Sequence, residues 1–246
     1  MKLLAIESAE GKTMMDSLSL RRFSAFDQHR ADVASQLTAY RQMRELSLIE
    51  QARSLDGVEL DEKSLWVDQG LIKSAHKGLQ TPLRQAIEHA KERIERFQTD
   101  LKISEVQAQE ESGVLWGTVM RPLDSVGVYV PGGRAHYVMS LLFAAVPARM
   151  AGVSGIVVAS PPKKKLGTPW IDPLVLYAAK ILDISKILLA GGPLALAALA
   201  FGSKGSPGVQ KLFASGGART IVGLHQLSGY VGVESVAAHS ELAIVA

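Results

Sequence analysis

The residues best placed to do chemistry in this 246-residue chain are glycines and prolines that follow short apolar runs. Val126-Gly-Val-Tyr-Val-Pro-Gly-Gly133 is the clearest case, a β-branched and aromatic run ended by Pro131 and paired glycines. Such a run reads as a buried strand of a parallel sheet. Glycine lets backbone approach a ligand closely, and a helix expected over 137–150 would aim its N-terminus at the same loop. Free N–H groups and the helix dipole favour an anion there, so phosphate or pyrophosphate is the natural guest. Ser160-Pro-Pro-Lys-Lys-Lys-Leu-Gly167, Gly191-Gly-Pro193 and Ala214-Ser-Gly-Gly217 repeat the pattern after the apolar runs 156–159, 186–190 and 211–213. Ligands of open α/β sheets sit outside the carboxyl ends of the strands. Four such loops on one edge would line a cleft with backbone suited to a nucleotide. Glycines that merely end strands and begin helices read the same way, and neither a G-x-G-x-x-G nor a Walker pattern is present.

Few side chains add to this. His136 and Arg134 lie in the first loop and would face a phosphate or simply solvent. Lys163, Lys164 and Lys165 form a basic run that is usually just solvated. His239 and Glu241 would share one face of an extended segment. His29, His76, His89 and His225 are scattered without metal-ligand spacing, so no metal site is assigned.

The elements that must position these loops alternate strand and helix after about residue 113, with helices expected over 172–182 and 193–201. That pattern predicts βαβ units and a parallel sheet. The first 30 residues lack a sustained period and read as a loosely packed arm. Val33, Leu37, Tyr40, Leu48 and Ala52 keep helical spacing up to the turn Asp56-Gly57, predicting one helix. A short extended or turn segment (Leu60, Leu65, Trp66, Val67) precedes a second helical region over 69–78. Thr81, as N-cap, and Pro82 open the clearest helix, whose stripe Ile87, Ala90, Ile94, Phe97 and Leu101 must pack on something. The fold expected is α/β: a mainly helical N-terminal region, 1–120, and a Rossmann-like parallel-sheet domain, 121–246, with a truncated final strand.

Composition narrows the classes. There are no cysteines, which excludes disulfides, thiolate metal sites and a Cys nucleophile. A net charge of +3 and the mixed signs on the 81–101 helix argue against nucleic acid. No run reaches the roughly 18 apolar residues of a membrane span, and the start is too short for a secretory core. A cytoplasmic protein without a membrane partner is expected.

Arg121-Pro-Leu-Asp-Ser-Val-Gly-Val-Tyr-Val-Pro-Gly-Gly133 resembles the signature of the histidinol dehydrogenase family. Leu55-Asp-Gly-Val-Glu-Leu60, Ala145-Val-Pro-Ala148 with Ala151-Gly-Val153, Ser160-Pro-Pro162, Gly191-Gly192 with Ala197-Ala-Leu-Ala-Phe-Gly202, and Gly229-Tyr-Val-Gly-Val233 match it in order, from about residue 32 to the end. The resemblance implies the family's activity, an NAD-dependent, zinc-assisted oxidation of histidinol to histidine. It implies a dinucleotide lying over Tyr129, Pro131, Gly132, Gly133, Gly192 and Gly216, and a substrate contact at Ser240. This sequence departs from the family where it matters. Leu194 stands at the family's cofactor-binding Gln, Gly217 at its Asn, and His239 at a proline. The family's zinc ligands and Glu-His base pair lie beyond Ala246, so no catalytic residue and no metal ligand is assigned here. NAD binding is expected to be weak or lost. The partners expected are a homodimer mate or a complementary C-terminal chain, with a non-catalytic nucleotide-binding or scaffold module, or one half of a split enzyme, as the alternative.

Overall fold

A computed structural model of the chain describes residues 4–24, 26–101, 109–133, 135–164 and 171–234. Five parallel strands form the centre: β3 (Ser125–Tyr129), β4 (Gly155–Ser160), β5 (Lys186–Leu189), β6 (Lys211–Ala214) and β7 (Gly232–Val233). They lie in the order β5-β4-β3-β6-β7. Every pairing is parallel, with Val126 opposite Ile156 on one side and Lys211 on the other. Ile156, Val157, Val158 and Ala159 are all buried, as a strand covered on both faces requires. A short antiparallel hairpin, β1 (Gln109–Glu111) with β2 (Val114–Trp116), stands apart from the sheet. The side chains of Val114, Leu115 and Trp116 in this hairpin are exposed.

Right-handed crossovers decide the layers. Helices α6 (Val138–Met150) and α7 (Pro173–Ile181) connect β3 to β4 to β5 and cover one face. The chain then reverses direction across the sheet, so α8 (Gly192–Phe201) and α9 (Ala218–Leu227) cover the other. The N-terminal helices add an outer shell: α2 (Asp27–Met43) packs on α8 and α9, and α5 (Thr81–Asp100) packs on α6. Sandwiched between sheet and α2, α8 is apolar all round, with Pro193 to Leu199 buried. One continuous core runs from Val33 and Tyr40 through the sheet to Leu227.

Four details differ from the sequence expectation. The first residues contain a helix, α1 (Ala9–Ser24), whose apolar side chains Met14, Met15 and Leu18 are exposed. The single helix expected from residue 32 to 56 is broken at Arg44, which adopts a φ of 51°, into α2, α3 (Glu45–Gln51) and a π-helical turn, Ala52–Asp56. Tertiary hydrogen bonds hold that break: the Tyr40 hydroxyl donates to Gly202 O at 2.7 Å and the Arg44 guanidinium to the same oxygen at 3.3 Å. Burial, with Glu45 adding to it, pushes the Tyr40 hydroxyl up to about 12. Thr81 is the first helical residue of α5, the cap falling on Gln80, and its hydroxyl accepts from Arg84 instead. Only the first half of the α5 stripe packs: Ile87 and Ile94 are buried, while Phe97 is 61% and Leu101 54% exposed. Further helices fall at α4 (Gln69–Ser74) and a 3-10 turn, Ala75–Gly78, as expected.

The extended segment at Leu65 to Val67 is the N-terminal region's direct contribution to the sheet. It pairs antiparallel with the outer edge of β5, Val67 N donating to Ile187 O at 2.9 Å and Leu189 N to Leu65 O at 2.7 Å. An edge strand so covered offers no open ladder to another chain.

Candidate functional site

The strand order reverses between β3 and β6, so their carboxyl ends open a crevice at the topological switch point. The loop after Tyr129 forms one wall and the loop 214–217 the other. A cavity of 190 Å³ on the α6 side is lined by Val128, Tyr129, Ser140, Phe143, Phe213 and Ser215, among others. On the α8 side a cavity of 400 Å³ is lined by His29, Gln51, Leu55, Gly192, Pro193, Gly217, Ala218, Arg219 and Thr220.

Of the residues singled out from the sequence, Tyr129 and Gly192 are brought into direct contact. Tyr129 is 5% exposed, and its hydroxyl accepts from Gly192 N at 3.0 Å. Burial raises the Tyr129 pKa, and Asp56 adds to the rise while the Gly192 bond opposes it. Gly192 takes a φ of 57°, which explains glycine at that turn. Gly132 and Gly191 converge on one proline: a Cβ on Gly132 would lie 2.4 Å from Pro161 Cγ, and one on Gly191 2.9 Å from Pro161 Cβ. The three loops after β3, β4 and β5 are thus locked against each other, with Pro131 and Gly132 half-buried and Gly133 exposed. Gly216 lies across the crevice, where a Cβ would meet Thr220 Oγ1 at 2.5 Å. Ser240, His239 and Glu241, with Arg134 and Lys165, lie outside the described residues.

The two helix N-termini at this edge are not equivalent. At α8 the first donors are Gly192 N, taken by Tyr129, and Pro193, which has no N–H. At α9, Thr220 N and Ile221 N turn back to Gly217 O, and among the described residues Ala218 N and Arg219 N have no backbone acceptor. Leu194 is buried at 6% exposure, so its position faces the core. Gly217 is open, with nothing within 4 Å of the point a Cβ would occupy.

Two polar arrangements were invisible in the sequence. Asp172, 3% exposed, caps α7 through Leu174 N at 3.0 Å, accepts from Lys163 Nζ at 3.3 Å and lies 2.5 Å from His136 Nδ1. A carboxylate acceptor fixes the proton on Nδ1 and leaves Nε2 toward solvent, the orientation of an acid/base imidazole. The one sequence signal was Asp172-Pro173, an N-cap followed by proline at the first helical position. The second is Asp56, which closes the π-helical turn and whose pKa burial raises from 3.8 to about 6. The native state therefore binds that proton more tightly than the unfolded chain does. Its contribution to stability is complete below pH 3.8 and is lost as pH rises through about 6. Asp56→Asn is expected to match the parent in acid and exceed it by roughly 1 kcal/mol at neutral pH, a figure discounted for solvent screening of a half-exposed group. Urea unfolding at both pH values checks this; equal stability at neutral pH contradicts it.

An open parallel sheet with this strand order, edged by Gly and Pro loops at its switch point, defines an α/β protein of the Rossmann-like kind. The family model for histidinol dehydrogenase matches residues 20–246, and the chain belongs to that family. It is 34% identical over 236 residues to the histidinol dehydrogenase of Halalkalibacterium halodurans, covering 95% of this chain and 54% of that protein. The enzyme of Caldanaerobacter subterraneus is 36% identical over 196 residues, 80% of this chain and 44% of that one. The crystal structure of histidinol dehydrogenase from Elizabethkingia anophelis superimposes with a TM-score of 0.76 at 26% identity, covering 83% of this chain and 46% of that chain. The chain spans about half the length of the curated relatives it matches.

Proposed function

We propose that these residues form the dinucleotide-binding half of a histidinol dehydrogenase-type oxidoreductase of histidine biosynthesis, hold NAD weakly, and work with a complementary C-terminal polypeptide or a second copy in the cytoplasm. The observation that carries the reading is the Tyr129–Gly192 hydrogen bond, which ties two glycine loops together at the carboxyl edge of the sheet. NAD supplies a hydride acceptor when bound. The residues here would bind and orient it: Pro131, Gly132 and Gly133 allow close approach to a pyrophosphate, Gly192 and Gly216 flank it, and the α9 N-terminus faces its charge. Ser240 belongs to the same reading as a substrate contact.

Among the described residues no three His, Asp or Glu side chains converge as a metal ion needs, so these residues do not fit the family's zinc. No described helix is long and apolar enough to cross a membrane. The alternative, a non-catalytic binding module, draws support from Leu194 and Gly217 at the positions of the family's two cofactor amides. Each missing hydrogen bond costs about 0.5–1.5 kcal/mol, so NAD affinity should be roughly ten- to a hundredfold below that of an intact relative. Calorimetric titration with NAD tests this. Gly217→Asn has room for its side chain and should tighten binding, whereas Leu194→Gln must also bury an amide. Titration heats no different from dilution, in parent and Gly217→Asn alike, would overturn the dinucleotide reading in favour of the binding module.

A further inference from the structure

Helices cover only part of one sheet face. Lys211 and Phe213 alternate with the buried Leu212, so both point to the face that α6 and α7 shield over β3, β4 and β5. The helices that pack most closely on β6 are α8 and α9, on the opposite face. On the α6 side, Lys211 lays its ammonium over the Phe213 ring, 5.3 Å from the centroid, and both residues stay half-buried. A groove of 820 Å³ opens between this strand, α6 and the end of α5. Its walls include Leu101, Val126, Phe143, Pro147 and Val153, and its charged residues are Arg121, Lys211 and Glu234. Phe143 is 62% exposed, and Met120, Leu123 and Met150 are exposed around the same hollow. Large apolar groups gathered in this way mark a surface that another element covers. The groove also runs into the candidate site: Phe143, Ala144, Phe213 and Glu234 line both it and the 190 Å³ cavity beside Tyr129.

We propose that this groove is the docking surface for the complementary C-terminal polypeptide, which seats an amphipathic helix with its apolar side on Phe143, Pro147 and Phe213. The inference rests on the reading in which that polypeptide supplies the base and the zinc ligands, and it names the surface along which they reach the crevice. Three observations select this occupant. Groups that act on a ligand at Tyr129 must be delivered to the switch point, and the groove is continuous with it. Roughly half of each curated relative lies outside the match, and Glu234, from which the chain continues, is part of the groove wall. A two-fold contact is self-complementary, so a second copy would set hollow against hollow, whereas a helix fills the layer that a sheet covered on both faces requires. Arg121 and Lys211, set against the one carboxylate of Glu234, favour an acidic residue at the edge of that helix.

Co-expression of the full chain with the tagged C-terminal half of a relative tests it, read by copurification and by hydrogen exchange of the complex. The parent should copurify, with exchange slowed over 138–150 and 211–214. Phe143→Asp puts a charge into the apolar seat and should reduce the retained chain at least tenfold, while Phe143→Leu keeps most of it. Leu46→Asp, on the exposed side of α3 and outside the groove, should change nothing. If the half does not accumulate as a separate chain, the same half fused after Ala246 reads the surface: Phe143→Asp should lower the melting temperature of the fusion and leave that of the unfused chain unchanged. Copurification needs no cofactor, so failure of NAD to bind and failure of this surface are separate results. A soluble half that does not retain the parent, retention or fusion melting indifferent to Phe143→Asp, or a dimer of the chain itself that Phe143→Asp disperses, overturns the proposal.

Discussion

Histidinol, NAD and zinc supplied to the 246-residue chain are expected to yield no NADH above the uncatalysed background. Hydride loss from an alcohol needs a base for the hydroxyl proton and a group to hold the developing alkoxide. The family resemblance assigns the first task to a Glu-His pair and the second to zinc, and the proposed reading places both in a complementary polypeptide. The acid/base contribution alone is worth about 10²–10⁴ in rate. The described residues offer no cluster that could hold the metal in its place. His136, oriented by Asp172, is the nearest thing to a general base; if it served as one, His136→Gln would abolish a measurable rate in the parent. NADH formation by the purified parent would contradict the expectation. Turnover appearing only when the C-terminal half of a relative is added as a separate chain would place the base and the zinc ligands there.

Tyr129→Ala should cost about 3–5 kcal/mol of stability, the range for emptying a buried aromatic site. The ring is 5% exposed and belongs to the central core. Tyr129→Phe keeps the ring and strands Gly192 N, which should cost about 1–3 kcal/mol. Denaturant unfolding of the two variants separates packing from hydrogen bonding, and equal losses would show that the ring contributes nothing beyond its hydroxyl. The consequence for function is practical. A fall in NAD binding on Tyr129→Ala reports loss of fold, so Tyr129→Phe is the variant that reads the cofactor's own dependence on this residue.

The sheet was legible because its signals are local. Val126 to Val130, 156–159 and 186–190 are apolar runs bounded by Gly and Pro, and the alternation with helices leaves parallel pairing as the arrangement that buries them on both faces. The resemblance of residues 121–133 and the motifs in order on either side of it identified the family for the same reason: contiguous residues carry both the loop and its strand. Ends of elements were less legible. Thr81 has the chemistry of an N-cap, but the extended residue falls at Gln80, a shift that side-chain type alone does not resolve.

Local residue patterns were enough to settle the class of the sheet, the positions of its Gly and Pro loops and the family. Where those loops meet, and which polar groups they gather, was left to tertiary packing. The break at Arg44 exists because Tyr40 and Arg44 reach Gly202, about 160 residues away in sequence. Asp172 could not be paired with His136 and Lys163, nor Asp32 with Arg219, nor the Tyr129 hydroxyl with Gly192, from spacing. Each pairing joins segments that only the crossovers and the packing of α2 on α8 and α9 bring together, and hydrogen bonds between such segments leave no period or motif in the chain that makes them.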